Sequence, residues 1–290
     1  MSEFFEAIVQ GVMLGGIYAL IALGLVLVYK STKVLNLAYG ETLMILSYIL
    51  CALLYSVGLP LPIGLLLIFV IGALIGLSLE RLVLRPLIGQ GFLPMIMITL
   101  FIGFVIKGII SIAWKDSDKV LSIIPRGAFH FWQITIQYTH LWALLIALFI
   151  FLLMFALFRY TSIGLAMRAV AEDHQISQSM GINVKRIFAI SWGISCVFAA
   201  AAGILIGSIS IVNTDMSAYG IAKAIPVLLL GGLESVPGAL VGGIIIGIAE
   251  LLGGTYVGAE YREIIPFIVL LLILVIKPHG LFGLKTIERI

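Results

Sequence analysis

The sequence predicts an all-α, polytopic membrane helix bundle with about nine membrane segments, within a range of eight to ten. Of its 290 residues, 62% are hydrophobic and only 11% are charged, whereas soluble domains are about 45–50% apolar and about 25% charged. The apolar residues form long runs, and a membrane-spanning helix needs roughly 20 residues. We therefore predict that lipid surrounds the apolar runs and that residues 1–290 form a single transmembrane domain.

Nine apolar runs account for this bundle. In chain order they are Phe4–Tyr29, Val34–Val57, Leu61–Leu79, Phe92–Ala113, Leu141–Phe158, Ile187–Val212, Ile221–Leu233, Gly238–Leu252 and Ile264–Ile276. All are predicted to be helices, because a backbone in lipid must satisfy its own hydrogen bonds and none of the runs alternates like a barrel strand. The first run is too long for a signal-peptide core and is expected to remain as a span. The shortness of the seventh and eighth runs sets the range of eight to ten.

The placement of lysine and arginine predicts that the N-terminus is outside and the C-terminus is inside, because cytoplasmic loops carry the excess of positive charge. With this orientation eleven basic residues face the cytoplasm, namely Lys30, Lys33, Arg81, Arg85, Arg159, Arg168, Lys185, Arg186, Lys277, Lys285 and Arg289. Four face outward, namely Lys115, Lys119, Arg126 and Arg262. Such ends require an odd number of crossings, which nine satisfies.

Glycine and aromatic residues support a packed membrane bundle. Glycines four residues apart let helix backbones approach closely in lipid, and they occur at Gly11/Gly15, Gly72/Gly76, Gly203/Gly207, Gly238/Gly242 and Gly243/Gly247. Three tryptophans flank the fourth and fifth runs as a predicted interfacial belt, namely Trp114, Trp132 and Trp142.

The residues that bind metals elsewhere are scattered here. Cys51 and Cys196 lie in separate apolar runs and are predicted to be reduced core residues, since a metal site needs clustered ligands. The four histidines have no metal-binding spacing, namely His130, His140, His174 and His279. No metal, cofactor or nucleic-acid partner is predicted.

Two stretches interrupt the helical pattern at membrane depth. The first is Leu35–Glu41, and the second is Ile225–Gly238, which contains two prolines. Interrupted segments in a transporter mark a substrate path, because freed backbone groups survive only beside a cavity. The alternative is that both are ordinary loops between spans. The candidate path residues are Asn36, Tyr39, Gly40, Glu41, Gly231, Gly232 and Glu234.

Several polar residues in or near these stretches can have a structural or a functional role. Glu41 either lines a cavity or is a carboxylate stabilised by the N-terminus of its helix. Asn36 either caps that helix or lines the path. Glu234 and Ser235 precede a helix start and fit capping. Glu250 lies deep in the eighth run, where it either pairs with a neighbour such as Lys107 or lines a subunit interface.

The longest polar stretch that faces inward is residues 159–186. Small and polar residues alternate in it without a spanning run, which predicts a short helix at the inner surface that ends at Gly181. Such a helix is either a docking surface for another protein or a solvated, charged loop.

Three motifs in this chain resemble the permeases of the LivH type, which are the membrane subunits of branched-chain amino acid ABC importers. Asn36-Leu37-Ala38 with Gly40-Glu41 is similar to the first family motif, and Gly231-Gly232-Leu233 with Pro237-Gly238-Ala239 is similar to the second. The third is the cytoplasmic signature, formed by Arg168, Ala169, Ala171, Glu172, Asp173, Gly181, Ile182 and Asn183. The chain departs from the family pattern at Tyr39, Glu234 and Ser177.

The resemblance implies a function and a set of partners. Residues 159–186 would hold the coupling helix that seats in a groove of the ATPase subunit. A second related permease of the LivM type, two ATP-binding subunits and an external solute-binding protein would complete an importer in a prokaryotic inner membrane. The chain has no Walker A loop, since the dipeptide Gly-Lys does not occur, so its energy would come from a partner.

Three other functions are alternatives to import of branched-chain amino acids. Related permeases carry urea and short amides, which is the alternative substrate class. A self-contained secondary transporter would need no coupling helix. An intramembrane hydrolase would need a base beside Ser208 or Ser210, and no histidine lies within a span to act as one. The chain is therefore predicted not to be an enzyme.

Overall fold

The computed structural model describes residues 2–87, 92–125, 127–131 and 134–283, without the side chains of Ser2, Phe92, His130, Phe131 and Ile134. The predictions for Arg126, Trp132, Lys285, Arg289 and the side chain of His130 lie outside these described residues.

Helix dominates, with 80% of the described residues helical, which confirms the all-α class. The helices are α1 (Ser2–Thr32), α2 (Tyr39–Cys51), α3 (Leu61–Leu79), α4 (Phe92–Trp114), α5 (Tyr138–Tyr160), α6 (Ser162–Glu172), α7 (His174–Ser179), α8 (Val184–Ile209), α9 (Asp215–Gly231), α10 (Val236–Tyr256) and α11 (Ile265–Ile276). Wider π-helical turns extend α2 over Ala52–Ser56 and α3 over Glu80–Leu84. Short 3₁₀ turns follow at Arg85–Leu87 and Ala259–Tyr261.

One small sheet interrupts the helices. Strands β1 (Ala128–Phe131) and β2 (Ile134–Gln137) form an antiparallel hairpin in which Ala128 is opposite Gln137. The hairpin lies in the segment between the fourth and fifth apolar runs, for which the sequence analysis gave no secondary structure.

Within the described residues, seven helices are long and apolar enough to cross a membrane, so the predicted count of nine is not confirmed. They are Glu3–Thr32, Tyr39–Ser56, Leu61–Leu87, Leu93–Trp114, Tyr138–Tyr160, Val184–Ile209 and Val236–Tyr256. The two runs without such a helix lie in α9 and α11. Helix α9 has 17 residues and contains Pro226, and α11 has 12 residues, so both are shorter than the other spans.

The chain divides into two compact units. Unit 1 takes the described residues of Met1–Val26, Ile124–Leu148 and Ala222–Ile290, and unit 2 takes those of Leu27–Ile123 and Phe149–Ile221.

Glycine contacts hold α1 against α10 in unit 1. A Cβ atom on Gly11 would lie 2.6 Å from the Cα of Ile248, and one on Gly15 would overlap the backbone at Gly243. The reverse contacts hold at Gly247. The small-residue pairs predicted from the sequence therefore form this helix–helix contact.

Helix α8 is the centre of unit 2, where it packs against α2 and α3. A Cβ on Gly72 would lie 3.0 Å from the carbonyl oxygen of Cys196, and one on Gly76 would overlap the backbone of Trp192. Both cysteines are buried and free, as predicted.

Candidate functional site

The first interruption lies in unit 2, between the end of α1 and the start of α2. Asn36 is buried there, and its Oδ1 accepts a hydrogen bond of 3.1 Å from the backbone nitrogen of Ala38. Its Nδ2 has no hydrogen-bond partner among the described residues. The N-cap of α2 is Ala38, without a side-chain bond, so the capping interpretation of Asn36 is wrong.

A threonine from α4 holds this irregular segment in place. The backbone nitrogen of Leu37 donates to Thr99 Oγ1 at 3.2 Å, and that hydroxyl lies 3.4 Å from the carbonyl oxygen of Leu35. Thr99 is fully buried. Thr99 was not predicted to have a role, and its only signal was a polar residue in the first half of an apolar run.

Tyr39 and Gly40 begin α2 and pack against other helices of unit 2. Tyr39 is fully buried and its hydroxyl donates to the carbonyl oxygen of Ser195 at 3.4 Å. A Cβ on Gly40 would overlap the carbonyl oxygen of Ser217. Glycine at position 40 therefore allows the backbones of α2 and α9 to approach.

Glu41 follows in the first turn of α2 and is partly exposed. A Cβ on Gly103 of α4 would lie 3.1 Å from its Oε2, so the carboxylate occupies space that this glycine leaves open. Among the described residues the carboxylate has no ion-pair partner. Its position at a helix N-terminus fits both interpretations made from the sequence.

The second interruption lies in unit 1, at the turn between α9 and α10. Gly232 has a φ of +101°, a left-handed conformation that favours glycine. The backbone nitrogens of Leu281 and Phe282 donate to the carbonyl oxygens of Leu230 and Gly231 at 2.7 and 3.2 Å. The segment after α11 therefore satisfies carbonyl groups that the end of α9 leaves unpaired.

Glu234 and Ser235 complete this turn. Ser235 is the N-cap of α10, and its hydroxyl oxygen accepts a hydrogen bond of 3.0 Å from the backbone nitrogen of Gly238. The capping interpretation is thus confirmed for Ser235. Glu234 is partly exposed beside it.

The polar segment at residues 159–186 contains two short helices, α6 and α7, instead of the single predicted one. Asp173 separates α6 from α7 and caps α7, because its Oδ1 accepts bonds of 2.8 Å from the backbone nitrogens of Gln175 and Ile176. Gly181 has a φ of +86° just after α7, which confirms that it ends this helix. Asn183 then caps α8 by accepting from the backbone nitrogen of Arg186 at 3.1 Å.

The two short helices are fixed to the longer ones of unit 2. Arg168 donates from Nη1 to the carbonyl oxygen of Phe158, at the end of α5. His174 Nε2 donates to the carbonyl oxygen of Ser31 at 3.1 Å, and its ring meets that of Phe188 edge-on at 5.2 Å. The sequence analysis gave His174 no role, because a histidine that bonds a distant carbonyl leaves no pattern in the sequence.

The signature residues of this segment divide into buried and exposed sets. Ala171 is buried on α6, while Glu172 and Asp173 are exposed. Ile176 and Met180, which the sequence did not single out for a role, expose 63% and 78% of their surface. The result is an exposed surface with two apolar side chains beside two carboxylates.

A buried charge cluster in unit 1 was not predicted. Lys223 of α9 lies 3.0 Å from Glu250 Oε2 of α10, and the two side chains are only 3% and 2% exposed. Arg262 Nε lies 3.0 Å from Glu250 Oε1. The lysine ammonium is also 5.9 Å from the ring centre of Tyr18. Of the two interpretations of Glu250, the structure supports pairing with neighbours, which are Lys223 and Arg262 and not the suggested Lys107.

The candidate path residues fall into two groups. Asn36, Tyr39, Gly40 and Glu41 come together at the start of α2 in unit 2, and Gly231, Gly232 and Glu234 come together at the α9–α10 turn in unit 1. Among the described residues, no group of three or more histidine, cysteine, aspartate or glutamate side chains is arranged to hold a metal ion.

Known proteins resemble this chain over nearly its whole length. The family described as branched-chain amino acid transport system / permease component matches residues 7–274. The high-affinity branched-chain amino acid transport system permease protein LivH of Escherichia coli K12 is 32% identical over 99% of this chain and 98% of its own length. The corresponding protein BraD of Pseudomonas aeruginosa is 31% identical, with the same coverage of both chains. A probable branched-chain amino acid transport permease protein LivH of Methanocaldococcus jannaschii is 30% identical over 98% of this chain and 95% of its own length. No solved structure matches significantly.

Proposed function

Because this chain belongs to the family of branched-chain amino acid transport system permease components, we propose that it is the membrane-spanning subunit of an ATP-driven importer for branched-chain amino acids. The observation that carries the proposal is the near full-length similarity to relatives with that named activity, in a chain with seven helices able to cross a membrane.

The proposed topology has nine membrane segments, with the N-terminus outside and the C-terminus in the cytoplasm. Helices α9 and α11 supply the two crossings beyond the seven longer helices, since α11 is wholly apolar apart from its proline and α9 buries its only lysine against Glu250. The excess of lysine and arginine in the loops assigned to the cytoplasm supports this orientation.

The α6–α7 segment is proposed to receive the ATPase subunit. Its support is geometric, because two short helices stand between the long helices α5 and α8 and expose Ile176 and Met180. Exposed apolar side chains surrounded by polar ones are typical of a protein-binding surface. The bonds of Arg168 and His174 to the ends of α5 and α1 would transmit a movement of the segment to the spans.

The start of α2 is proposed to line the substrate path. A free branched-chain amino acid carries a carboxylate, an ammonium group and an apolar side chain. Asn36 has an amide donor without a partner, and Glu41 has a carboxylate without an ion pair, both among the described residues. An amide and a carboxylate are groups that would interact with the two charged ends of such a substrate. Tyr39 and Gly40 would hold this start of α2 in place, and Gly231, Gly232 and Glu234 are proposed as the path residues of unit 1.

The proposed partners are a second related permease of the LivM type, two ATP-binding subunits and an external solute-binding protein. We expect them to co-purify with the chain from its native membrane and to be identifiable by mass spectrometry. Recovery of the chain without any nucleotide-hydrolysing protein, under conditions that keep the external binding protein attached, would contradict the proposal. Uptake of labelled leucine and labelled urea by the same preparation would decide between the two substrate classes.

A further inference from the structure

An apolar groove runs along unit 2 between helices α3, α5 and α8. Its volume is about 380 Å³, which lies within the range of about 300–1,000 Å³ that is typical of small-molecule sites. Every residue that lines it is hydrophobic or glycine, including Ala73, Leu77, Leu153, Leu157, Ile190 and Val197. A groove with these walls offers no hydrogen bond and therefore selects an apolar occupant.

Glycine creates this groove. Gly72 and Gly76 bring α3 close to α8, and Gly193 of α8 has no side chain to fill the space beside them. A Cβ on Gly193 would make only ordinary contacts, at 3.6 Å from the carbonyl oxygen of Ala73 and from Leu77 Cγ. A larger side chain at position 193 would therefore extend into the groove.

The groove opens on an apolar surface. Leu74 and Leu77 of α3 and Leu153 of α5 are exposed at or beside it. In a bilayer such a surface faces hydrocarbon, and an empty groove would leave its walls without van der Waals partners. A lipid chain restores those contacts.

Cations gather at one end of the groove. Helices α3 and α8 are antiparallel, with Gly72 opposite Cys196 and Gly76 opposite Trp192. Continuing this register places Arg81, one turn beyond Leu77, at the level of Arg186, one turn before Ile190. Arg159 follows Leu157 by two residues at the end of α5. Two of the helices that form the groove, α3 with its π-helical extension and α8, thus carry an arginine at the same end, and α5 carries Arg159 in its last turn.

These arginines differ from their neighbour Arg85. Arg85 pairs with the buried Glu80 at 3.3 Å, whereas Arg81 and Arg186 are exposed and have no carboxylate partner among the described residues. These two guanidinium groups lie at one end of an apolar groove. Such an arrangement can bind a molecule with an anionic head group and a hydrocarbon tail. Arginine binds phosphate through a planar pair of donors.

We propose that this groove binds an anionic phospholipid, with an acyl chain between α3, α5 and α8 and the phosphate group held by Arg81 and Arg186. The inference depends on the chain lying in a membrane and does not depend on which substrate it carries. The arginines lie at the end of unit 2 that the proposed topology puts in the cytoplasm, where anionic lipids are enriched.

The test is native mass spectrometry of the full chain, purified with its membrane partners and supplied with phosphatidylglycerol or phosphatidylcholine. We expect phosphatidylglycerol to be retained in preference to phosphatidylcholine. Arg81→Gln and Arg186→Gln should each weaken that retention about fivefold, and the double variant about 25-fold. Lys185→Gln is the matched control, because Lys185 is equally exposed but lies on the helix face of Trp192, and it should leave retention unchanged.

A groove-filling variant tests the apolar part separately. Gly193→Leu should reduce retention of both lipids while Gly193→Ala should not. Equal retention of the two lipids by the native chain, or unchanged phosphatidylglycerol retention in the double arginine variant, would overturn the proposal. A disulfide or chemical cross-link from Leu153→Cys to a second permease subunit would also overturn it, because a protein would then cover the groove. The exposed arginine variants keep the proposal falsifiable even if Gly193→Leu fails to fold.

Discussion

Lys223 and Glu250 form the most buried ion pair described in unit 1. The stability of unit 1 should therefore depend on both side chains. A charge within the membrane is costly unless it is paired. Glu250 faces two cations, from Lys223 and Arg262, at 3.0 Å each. The cluster joins α9, α10 and the loop before α11, so it contributes to how the last part of unit 1 holds together.

Glu250→Gln should strongly destabilise the chain. Removing the charge of Glu250 takes the counter-charge away from the buried Lys223 ammonium and from Arg262, which costs about 3–5 kcal/mol. The measurement is thermal unfolding of the purified chain in mild detergent. Glu263→Gln is the control, since Glu263 is an exposed carboxylate in the same loop. Adding Lys223→Met to Glu250→Gln should recover part of the loss, and an unfolding temperature for Glu250→Gln equal to that of the native chain would refute the structural role.

Glu41→Gln should impair transport without affecting assembly. The carboxylate is partly exposed and lacks an ion-pair partner among the described residues, so a neutral side chain of the same shape leaves the packing intact. Loss of a charge-assisted hydrogen bond to the substrate ammonium should lower uptake about tenfold. Labelled leucine uptake and chain abundance in the membrane are measured together, with Glu260→Gln as control. Loss of expression instead of uptake would mean that the carboxylate only stabilises the N-terminus of α2.

The helices were largely predictable from the sequence, and their contacts were not. The fifth run was predicted over 141–158, and α5 covers Tyr138–Tyr160. Hydropathy marks residues that face lipid or the core, so it missed the first turns of α9, where Asp215 and Ser217 are polar. It also missed the 128–137 hairpin, which alternates too briefly to stand out. The partners of Glu250 depend on which helices are neighbours, and no periodicity within one helix contains that information.

At the level of elements, two exposed apolar side chains mark the proposed docking surface, namely Ile176 of α7 and Met180 just after it. Ile176→Ser with Met180→Ser should reduce the ability of the ATPase to drive uptake, because a docking surface loses its apolar contacts. We expect uptake to fall at least tenfold while the chain remains in the membrane. Val257→Ser is the control, since Val257 is similarly exposed but lies outside the α6–α7 segment. Full uptake in the double variant would exclude α7 as the docking element.

Glu172 and Gly181 belong to the same surface. Gly181→Ala also strains the backbone, because its φ of +86° disfavours a side chain. It therefore serves as a weaker test of docking than the exposed positions.

For the whole molecule, the proposed topology can be tested by accessibility. The buried Cys51 and Cys196 are first replaced by serine. In that background, Ser179→Cys should react with a membrane-impermeant thiol reagent only from the cytoplasmic side. Ser122→Cys, in the segment after α4, should react only from outside. Both positions are exposed in the structure. The opposite pattern would show that the proposed orientation is wrong and that α6–α7 cannot contact a cytoplasmic ATPase.

For the whole transporter, we propose that this chain forms half of a membrane channel and that ATP hydrolysis on another chain drives its movement. The most direct measurement is uptake of labelled leucine into vesicles that contain the purified chain and its permease partner, with and without the ATPase subunits and with ATP on the side of α6–α7. We predict uptake only when the ATPase, ATP and the external binding protein are all present. Uptake driven by an ion gradient through vesicles without any ATPase would contradict it.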